Sequence, residues 1–598
     1  MLKKSRFLLF VPPFLLMSAS ICLGEEPVVY DRIIVTSRKG VWPYESHYPT
    51  QTVAVSGDHQ ENFDSLSDFL EEAAGLDLRY RGRYGIQGDI SLRGATFNQV
   101  GVLIDGVPVT DPQTGHHNLD IPLTSFDVES VEVTKEGTGS VNFKVKKPVK
   151  KVLNIDTLVG EHALFGNAFS FSLPSEKLSS RVSFEHKISK GARPNTDFEY
   201  ETGSVYLLRP FEGMTWDGLL GYLKKDFGAD SFYSNLFSEE EEHTSTFLFR
   251  TGLEGAITLG LLKSNLYLRK HRDKFILERN NPVSVNYHTT YVYGQNSELR
   301  VSFPRFDLLL GEEIGTDQIN STNLGKHTRQ HGSLSFGLAS LPIERLSAGL
   351  NLRLQEYQDW GFRESYDLAL GYFIIDKRLK LNASAGHAAR IPTFTELFYS
   401  DAANKGNPNL DAEESDNFRC GLGFEDSLAS CSLEGFLRRG RHLIDWTRVS
   451  ATDPWQAANL GRVDFRGLEF IFGLKPEFHL RGLELKGVRF SYTYMDTDKK
   501  ETGFLSKYAL DILRHQLSLG FDSKIAGLNF NWRLSYNQRC FGETYFLGDL
   551  TISKRIETGG CTFGPFLKID NFSDSQYSEV GGVRQPGRWV QGGMKLEW

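Results

Sequence analysis

From about residue 150 to the C-terminus, apolar and polar positions alternate with a period of two. Leu513, His515, Leu517, Leu519 and Phe521 fall on one face of an extended segment, and Arg514, Gln516, Ser518 and Gly520 on the other. Val488, Phe490, Tyr492 and Tyr494 alternate in the same way with Arg489, Ser491 and Thr493. The final segment sets Val590, Met594, Leu596 and Trp598 against Gln591, Lys595 and Glu597. Such a pattern, sustained over roughly ten residues and repeated along the chain, predicts strands that show an apolar face to lipid and a polar face to an interior. A soluble sandwich or propeller would put its polar residues outside and seldom needs strands this long.

The connections between these strands are asymmetric. Short turns are expected at Leu173–Glu176, Phe211–Gly213, Glu254–Ala256, Pro304-Arg305, Leu341–Ile343 and Asp376-Lys377. More follow at Asp426–Ser430, Lys475-Pro476, Lys524–Gly527 and Thr558–Gly560. Each neighbouring pair of turns brackets one strand up, a usually longer loop and one strand down. The count comes to about 22 strands, an even number as a closed transmembrane barrel requires. A barrel this wide encloses more space than its own side chains fill, so a plug is needed.

The first 150 residues have a different texture. Phe63–Gly75 predicts a helix, with Asp64 or Ser65 as cap, Leu66, Phe69, Leu70 and Ala73 on one face, and Gly75 as the stop. Extended chain with glycine breaks follows over Leu76–Arg93. Val100–Ile104 reads as a buried strand ending in the turn Asp105-Gly106, and Val128–Val133 as another strand. The result is a compact α+β domain.

Composition narrows the setting. Lys3, Lys4 and Arg6, then the apolar run Phe7–Met17, then Cys22-Leu-Gly24 predict a secretory signal peptide over residues 1–24. Its removal takes away three bases and no acid, moving the formal charge from −8 to −11. No later apolar run has helix-spanning length. Acids and bases are mixed throughout, with no basic face, so no nucleic-acid partner is expected. Phe 43 and Tyr 23 against Met 5 suit strands and membrane-interface belts. Cys420, Cys431, Cys540 and Cys561 show neither a disulfide framework nor metal-ligand spacing; Cys540 falls near one barrel rim and Cys561 near the other.

The stretch Ile90–Asp120, ISLRGATFNQVGVLIDGVPVTDPQTGHHNLD, resembles the plug domain of TonB-dependent outer-membrane receptors. The likeness runs from about Ser65 to Pro148 and includes VESVEVTKEGTGS. It departs from the family after Ser140, where a Tyr- and Gly-rich stretch of about ten residues is missing, leaving the seating of the last plug strand open. Two further segments are similar to the family: AARIPTFTELFYSDAANKGNPNLDAEE over Ala388–Glu414, and Ile569–Trp598 with DNFSDSQY, PGR and its terminal aromatic. The resemblance implies an all-β transmembrane barrel of about 22 antiparallel strands with an N-terminal α+β plug in its lumen. Boundaries follow as residues 1–24 signal peptide, 25–40 terminal segment and linker, 41–149 plug and 150–598 barrel.

The terminal segment Asp31, Arg32, Ile33, Ile34, Val35 and Thr36 is β-prone and followed by flexible chain. On composition it is either the domain's first strand or an exposed strand suited to pairing with another protein's sheet edge. It resembles the TonB box of the family, in the form seen in cobalamin receptors, which implies TonB as a periplasmic partner. His116-His117, with Gln113, Asn118 and Asp120, is the notable polar cluster. In a loop these side chains either reach a ligand or metal, or hydrogen-bond to the barrel wall. Long loops at Lys405–Pro408, Ala451–Ala457 and Thr497–Leu510 carry Trp455 and other aromatics suited to closing over a ligand. Glu239–Glu242 beside His243 reads as a solvated acidic run, with cation binding the alternative. Gln113, His116, His117, Asn118 and Trp455 are the candidate ligand-binding residues.

The resemblance implies a monomer in outer-membrane lipid that imports a scarce metal chelate, cobalamin or a ferric siderophore, using energy transmitted by TonB. No catalytic triad, phosphate loop or supported carboxylate pair is visible, so no enzyme and no resident cofactor are expected. A passive porin-like or adhesive barrel is the alternative.

Overall fold

A computed structural model describes residues 51–54, 65–233, 237–282, 284–340, 345–375, 378–475, 478–480, 482–499 and 503–598. Residues 1–24, expected as a signal peptide, and Asp31–Thr36 lie outside the described residues. The wall is a closed barrel of 22 antiparallel strands around an N-terminal plug. It closes where the first barrel strand, Val152–Gly160, pairs antiparallel with the last, Trp589–Glu597.

Alternation decides which side chains meet lipid. Along Ser179–Ser189, Arg181, Ser183, Glu185 and Lys187 point into the lumen and are buried, while Val182, Phe184 and Ile188 point outward. Phe184 is 45% exposed and its neighbour Glu185 3%, the inverse of a soluble protein. Successive residues of a strand face opposite ways, so one sequence serves two solvents. Several strands run past the bilayer on the long-loop side; Ala429–Arg448 and Trp455–Leu474 each reach 20 residues.

Inside, Val128–Thr134 pairs antiparallel with both Gln51–Ala54 and Ser140–Val145, and Ser140–Val145 pairs parallel with Gly101–Ile104. Leu76–Tyr80 and Gly88–Leu92 form a separate hairpin. The final plug strand therefore forms despite the missing stretch after Ser140. Its exit is tied to the wall: Arg181 donates to Asp127 Oδ1 at 2.8 Å and to the Lys146 carbonyl.

Three expectations are corrected. The helix is one turn, Asp68–Glu71, rather than Phe63–Gly75. Its apolar face is used as expected, with Phe69 and Leu70 fully buried, but Ser67 at the N-cap makes no side-chain cap bond. Ser65 instead bonds to Asp68 Oδ1 at 2.6 Å, a local turn that competes with helix. Glu254–Ala256 is not a turn but part of the strand Glu241–Ile257. A Cβ on Gly255 would lie 2.3 Å from the Gly213 carbonyl, so this glycine serves close packing beside the neighbouring turn. Trp455–Ala457 belongs to the strand Trp455–Leu474, and Thr497 to Leu483–Lys499, so both loops are shorter than expected. The expected turns at Leu341–Ile343 and Asp376-Lys377, and Pro476, lie outside the described residues; Ala526 and Gly527, and Gly559 and Gly560, take the paired positive φ of two-residue hairpins. Cys420, Cys431, Cys540 and Cys561 are free.

Candidate functional site

The site is the plug apex, built from TDPQTGHHNLD. The loop is tied to itself first. Asp111 N donates to Asn118 Oδ1 and Gln113 N to Asp111 Oδ1, both at 2.9 Å. Asn118 Nδ2 reaches the Phe97 carbonyl at 3.0 Å, and Gly115 N reaches Asn98 Oδ1 at 2.7 Å. A Cβ at Gly115 would sit 2.3 Å from the Phe97 carbonyl oxygen, so only glycine allows this fold-back. The single 3-10 turn Gly115–His117 that results sends the two histidines different ways.

His116 packs on Phe97, with ring centroids 4.3 Å apart, and lies within 6.0 Å of the rings of Tyr233 and Tyr508. Its Nδ1 is 2.7 Å from Asp89 Oδ1, and Asp89 Oδ2 takes Arg81 at 2.7 Å. Burial pushes the His116 pKa down to about 4, against the pull of Asp89. The ring is therefore neutral at pH 7 and donates Nδ1–H to Asp89. The Asp89 carboxyl sits well below its ordinary value: burial works against that, and Arg81 and His116 outweigh it.

His117 turns into the wall and is buried. Nδ1 faces Asp120 Oδ2 at 3.6 Å, while Nε2 faces Asp273 Oδ2 at 3.5 Å and Glu242 Oε1 at 3.9 Å. Burial opposes a charge on this ring, but the nearby carboxylates of Asp120, Asp273 and Glu242 raise its pKa well above the usual histidine value. Gln113 and Asn118 are buried too; Gln113 Nε2 donates to Asp273 Oδ2 at 3.1 Å. Arg269 bonds to Asp111 and to the His117 carbonyl, and Lys225 Nζ to Asp120 Oδ1 at 2.7 Å. The structure brings Gln113, His116, His117 and Asn118 together. Trp455 packs in a cluster with Leu397, Trp446 and Tyr508, half-buried with the Arg448 guanidinium 4.2 Å from its ring centroid.

The acidic run is not a solvated face. Glu241 opens a strand, so alternate carboxylates turn inward and Glu240 and Glu242 are buried. Glu242 Oε2 accepts from Tyr233 Oη at 2.7 Å, and Glu240 Oε2 from Tyr233 N at 3.2 Å.

One part of the apex went unread in the sequence as a structural element. After the strand Leu379–Arg390, the chain folds inward as the short helix Phe394–Phe398, capped by the reciprocal Thr393–Glu396 box. Phe394 N and Thr395 N donate to the carbonyls of Pro112 and Gln113, at 2.9 and 3.1 Å. Arg390 joins Glu396 at 2.9 Å and Glu413 at 2.5 Å, fixing both ends of the inward loop. The signal was present as Arg390-Ile-Pro-Thr393 with Glu396, a capping box beside a base. Beside this apex, a cleft of about 470 Å³ runs between plug and wall, with Arg79, Phe97, Thr493 and Tyr508 among its lining.

Comparison with known proteins decides the class. Residues 44–148 match the TonB-dependent Receptor Plug Domain, and residues 154–589 match the TonB dependent receptor-like, beta-barrel family. The chain belongs to the TonB-dependent receptor family. It is 21% identical over 605 residues to the Vitamin B12 transporter BtuB of Vibrio vulnificus (strain YJ016), covering 95% of this chain and 91% of that one. Among solved structures it is similar to Copper transporter OprC, with a TM-score of 0.78, 13% identity and coverage of 95% and 100%. The siderophore receptor PirA from Pseudomonas aeruginosa gives 0.70, 18%, 92% and 99%. At these identities the structures establish the fold. As a member of the family this receptor is an outer-membrane, TonB-dependent transporter and not an enzyme.

Proposed function

We propose that the cargo of this receptor is a corrinoid of the cobalamin class, bound from outside between the plug apex and the long loops. The observation that carries this reading is the match to proteins named vitamin B12 transporters along 73–95% of the chain. The Asp31–Thr36 segment, in its cobalamin-receptor form, is the TonB contact in this proposal. His116 and Trp455 are the candidate ligand residues with surface left to offer. Gln113, His117 and Asn118 act from beneath, holding the apex loop in shape. A membrane with no energy source of its own must receive work through a protein contact, and a strand added to a sheet edge transmits tension along its hydrogen-bonded backbone.

A ferric siderophore is the second reading. It is favoured by a cleft of about 440 Å³ that carries Arg81, Arg83, Arg193 and Arg584, a setting for an anionic chelate. It ranks second because three of these guanidinium groups already face carboxylates: Asp89, Asp570 and Asp230.

Equilibrium binding of cobalamin to detergent-purified receptor, with ferric siderophores in parallel, separates the two. Saturable cobalamin binding that weakens at least tenfold in His116→Ala or Trp455→Ala supports the first reading. Siderophore binding with no cobalamin binding by a folded barrel overturns it. Deleting Asp31–Thr36 is expected to abolish uptake and leave binding intact; unchanged uptake removes the TonB assignment.

A further inference from the structure

At the seam between apex and wall, four carboxylates, Asp111, Asp120, Glu242 and Asp273, are buried against two permanent cations, Arg269 and Lys225. Arg269 is committed to Asp111 and Lys225 to Asp120 Oδ1. Glu242 and Asp273 are answered only by neutral donors and by histidines. His117 balances one of the remaining charges while it holds its proton; a divalent cation that displaces that proton balances two.

Besides Gln113 Oε1 and Asp273 Oδ1, two buried donor atoms at this seam lack a hydrogen-bond partner among the described residues: Asp120 Oδ2 and His271 Nε2. They lie 3.8 Å apart, and His117 Nδ1 is 3.6 Å from the same Asp120 oxygen. Donor atoms of all three residues lie within 4.8 Å of one another. Metal–ligand bonds of about 2.0–2.1 Å at near-tetrahedral angles separate donors by roughly 3.3–3.4 Å. The two closest pairs, at 3.8 and 3.6 Å, need to close by only a few tenths of an ångström.

The outer ring of contacts is what a metal-ligating histidine needs. His271 Nδ1 is 2.9 Å from Thr246 Oγ1; a proton donated there leaves the lone pair on Nε2, which faces Asp120. His117 Nε2 faces the Asp273 carboxylate, so a proton held on that side leaves Nδ1 free to ligate. Carboxylate or hydroxyl partners on the far nitrogen orient such rings and raise their basicity.

We propose that His117 Nδ1, Asp120 Oδ2 and His271 Nε2 bind a borderline divalent transition-metal ion that clips the plug apex to the barrel wall. Two imidazoles and one carboxylate, with no sulfur donor, suit Zn²⁺, Co²⁺, Ni²⁺ or Cu²⁺. The clip joins Gly115–Asp120 of the plug to the strand Gly260–Ile276, and it stands whatever the cargo is.

The test is titration of chelator-stripped, detergent-purified receptor with Co²⁺, read by its visible d–d absorption, with bound metal counted by elemental analysis. About one equivalent is expected in the wild type. His271→Gln, which keeps the packing volume, and Asp120→Asn should each weaken binding about tenfold or more, in line with loss of a ligand. His186→Ala is the control, since His186 belongs to a separate group with Glu199 and Glu201 that is not buried. Retention of the compact, heat-sensitive band on electrophoresis shows that each variant has folded. Absence of saturable Co²⁺ uptake by the wild type overturns the proposal, leaving a proton on His117 as the balancing charge. Equal uptake by wild type and folded His271→Gln also overturns it, as does a loss confined to Glu242→Gln.

Discussion

The plug is held together and held in place by different forces. Its own core is apolar: Phe69, Leu70, Val131, Val133, Val141 and Phe143 are fully buried between the sheet and the short helix. Its seam with the wall adds a dense set of ion pairs to apolar contacts such as Val107 with Tyr267 and Val292. Arg93 reaches Glu434 at 2.5 Å and Glu469 at 3.1 Å, Lys135 reaches Glu469 at 2.5 Å, and Arg539 reaches Asp77 at 2.8 Å. Apolar surface has no good alternative to burial, so a core of this kind is lost only by unfolding. Charged pairs that separate find water instead, which recovers much of the solvation they gave up in the seam. A domain built this way can shift against the wall while staying folded, as TonB-dependent transport demands.

Four substitutions probe that contrast. The largest effect is expected from Phe143→Ala, about 3–5 kcal/mol of plug stability from lost burial and the cavity left behind. Protease digestion should then cleave the plug while the barrel stays resistant. Phe184→Lys, on the lipid face, should cost about 2–4 kcal/mol of barrel stability near the bilayer midplane. Denaturant unfolding from lipid vesicles would register it, with plug protection unchanged. Glu469→Gln removes the charge that Arg93 and Lys135 share and should loosen the seam by about 1.5–3 kcal/mol. The plug should become accessible at lower urea while its own unfolding midpoint stays put; a falling midpoint would mean that seam and core are one cooperative unit. Arg441→Ala breaks a half-exposed rim pair with Asp416, 3.0 Å long, and should change stability by less than about 1 kcal/mol.

The wall was legible in the sequence because a lipid-facing strand has only one workable pattern. Phe184 outward and Glu185 inward could be inferred from order alone. The errors arose where one residue type has two uses. Gly255 looks like a turn residue, yet its missing side chain makes room for the carbonyl of Gly213. The Ser and Asp residues before Phe69 look like a cap, yet they bond to one another. The apex was half legible. TGHHNLD announced a polar loop, but the partners of His117 come from Glu242, His271 and Asp273, on strands more than a hundred residues away. No spacing rule links a plug loop to a wall position across a lumen. The Arg390–Glu396–Glu413 clamp was visible only as a run of letters, because its role depends on where that loop folds.

Closure of the wall has a consequence for biogenesis. The first strand, Val152–Gly160, finds its second neighbour only in the last nine-residue strand, and Leu153 and Trp598 exchange backbone hydrogen bonds at 2.7 and 2.9 Å. Most other wall pairings join strands that are neighbours in sequence. This one joins residues more than four hundred positions apart and carries the largest entropic cost of any pairing in the wall. A chain that stops short of Trp589 is left with two raw sheet edges, each a template for pairing with a stray strand. A wall that lacks Trp589–Glu597 stays an open ribbon instead of a closed barrel.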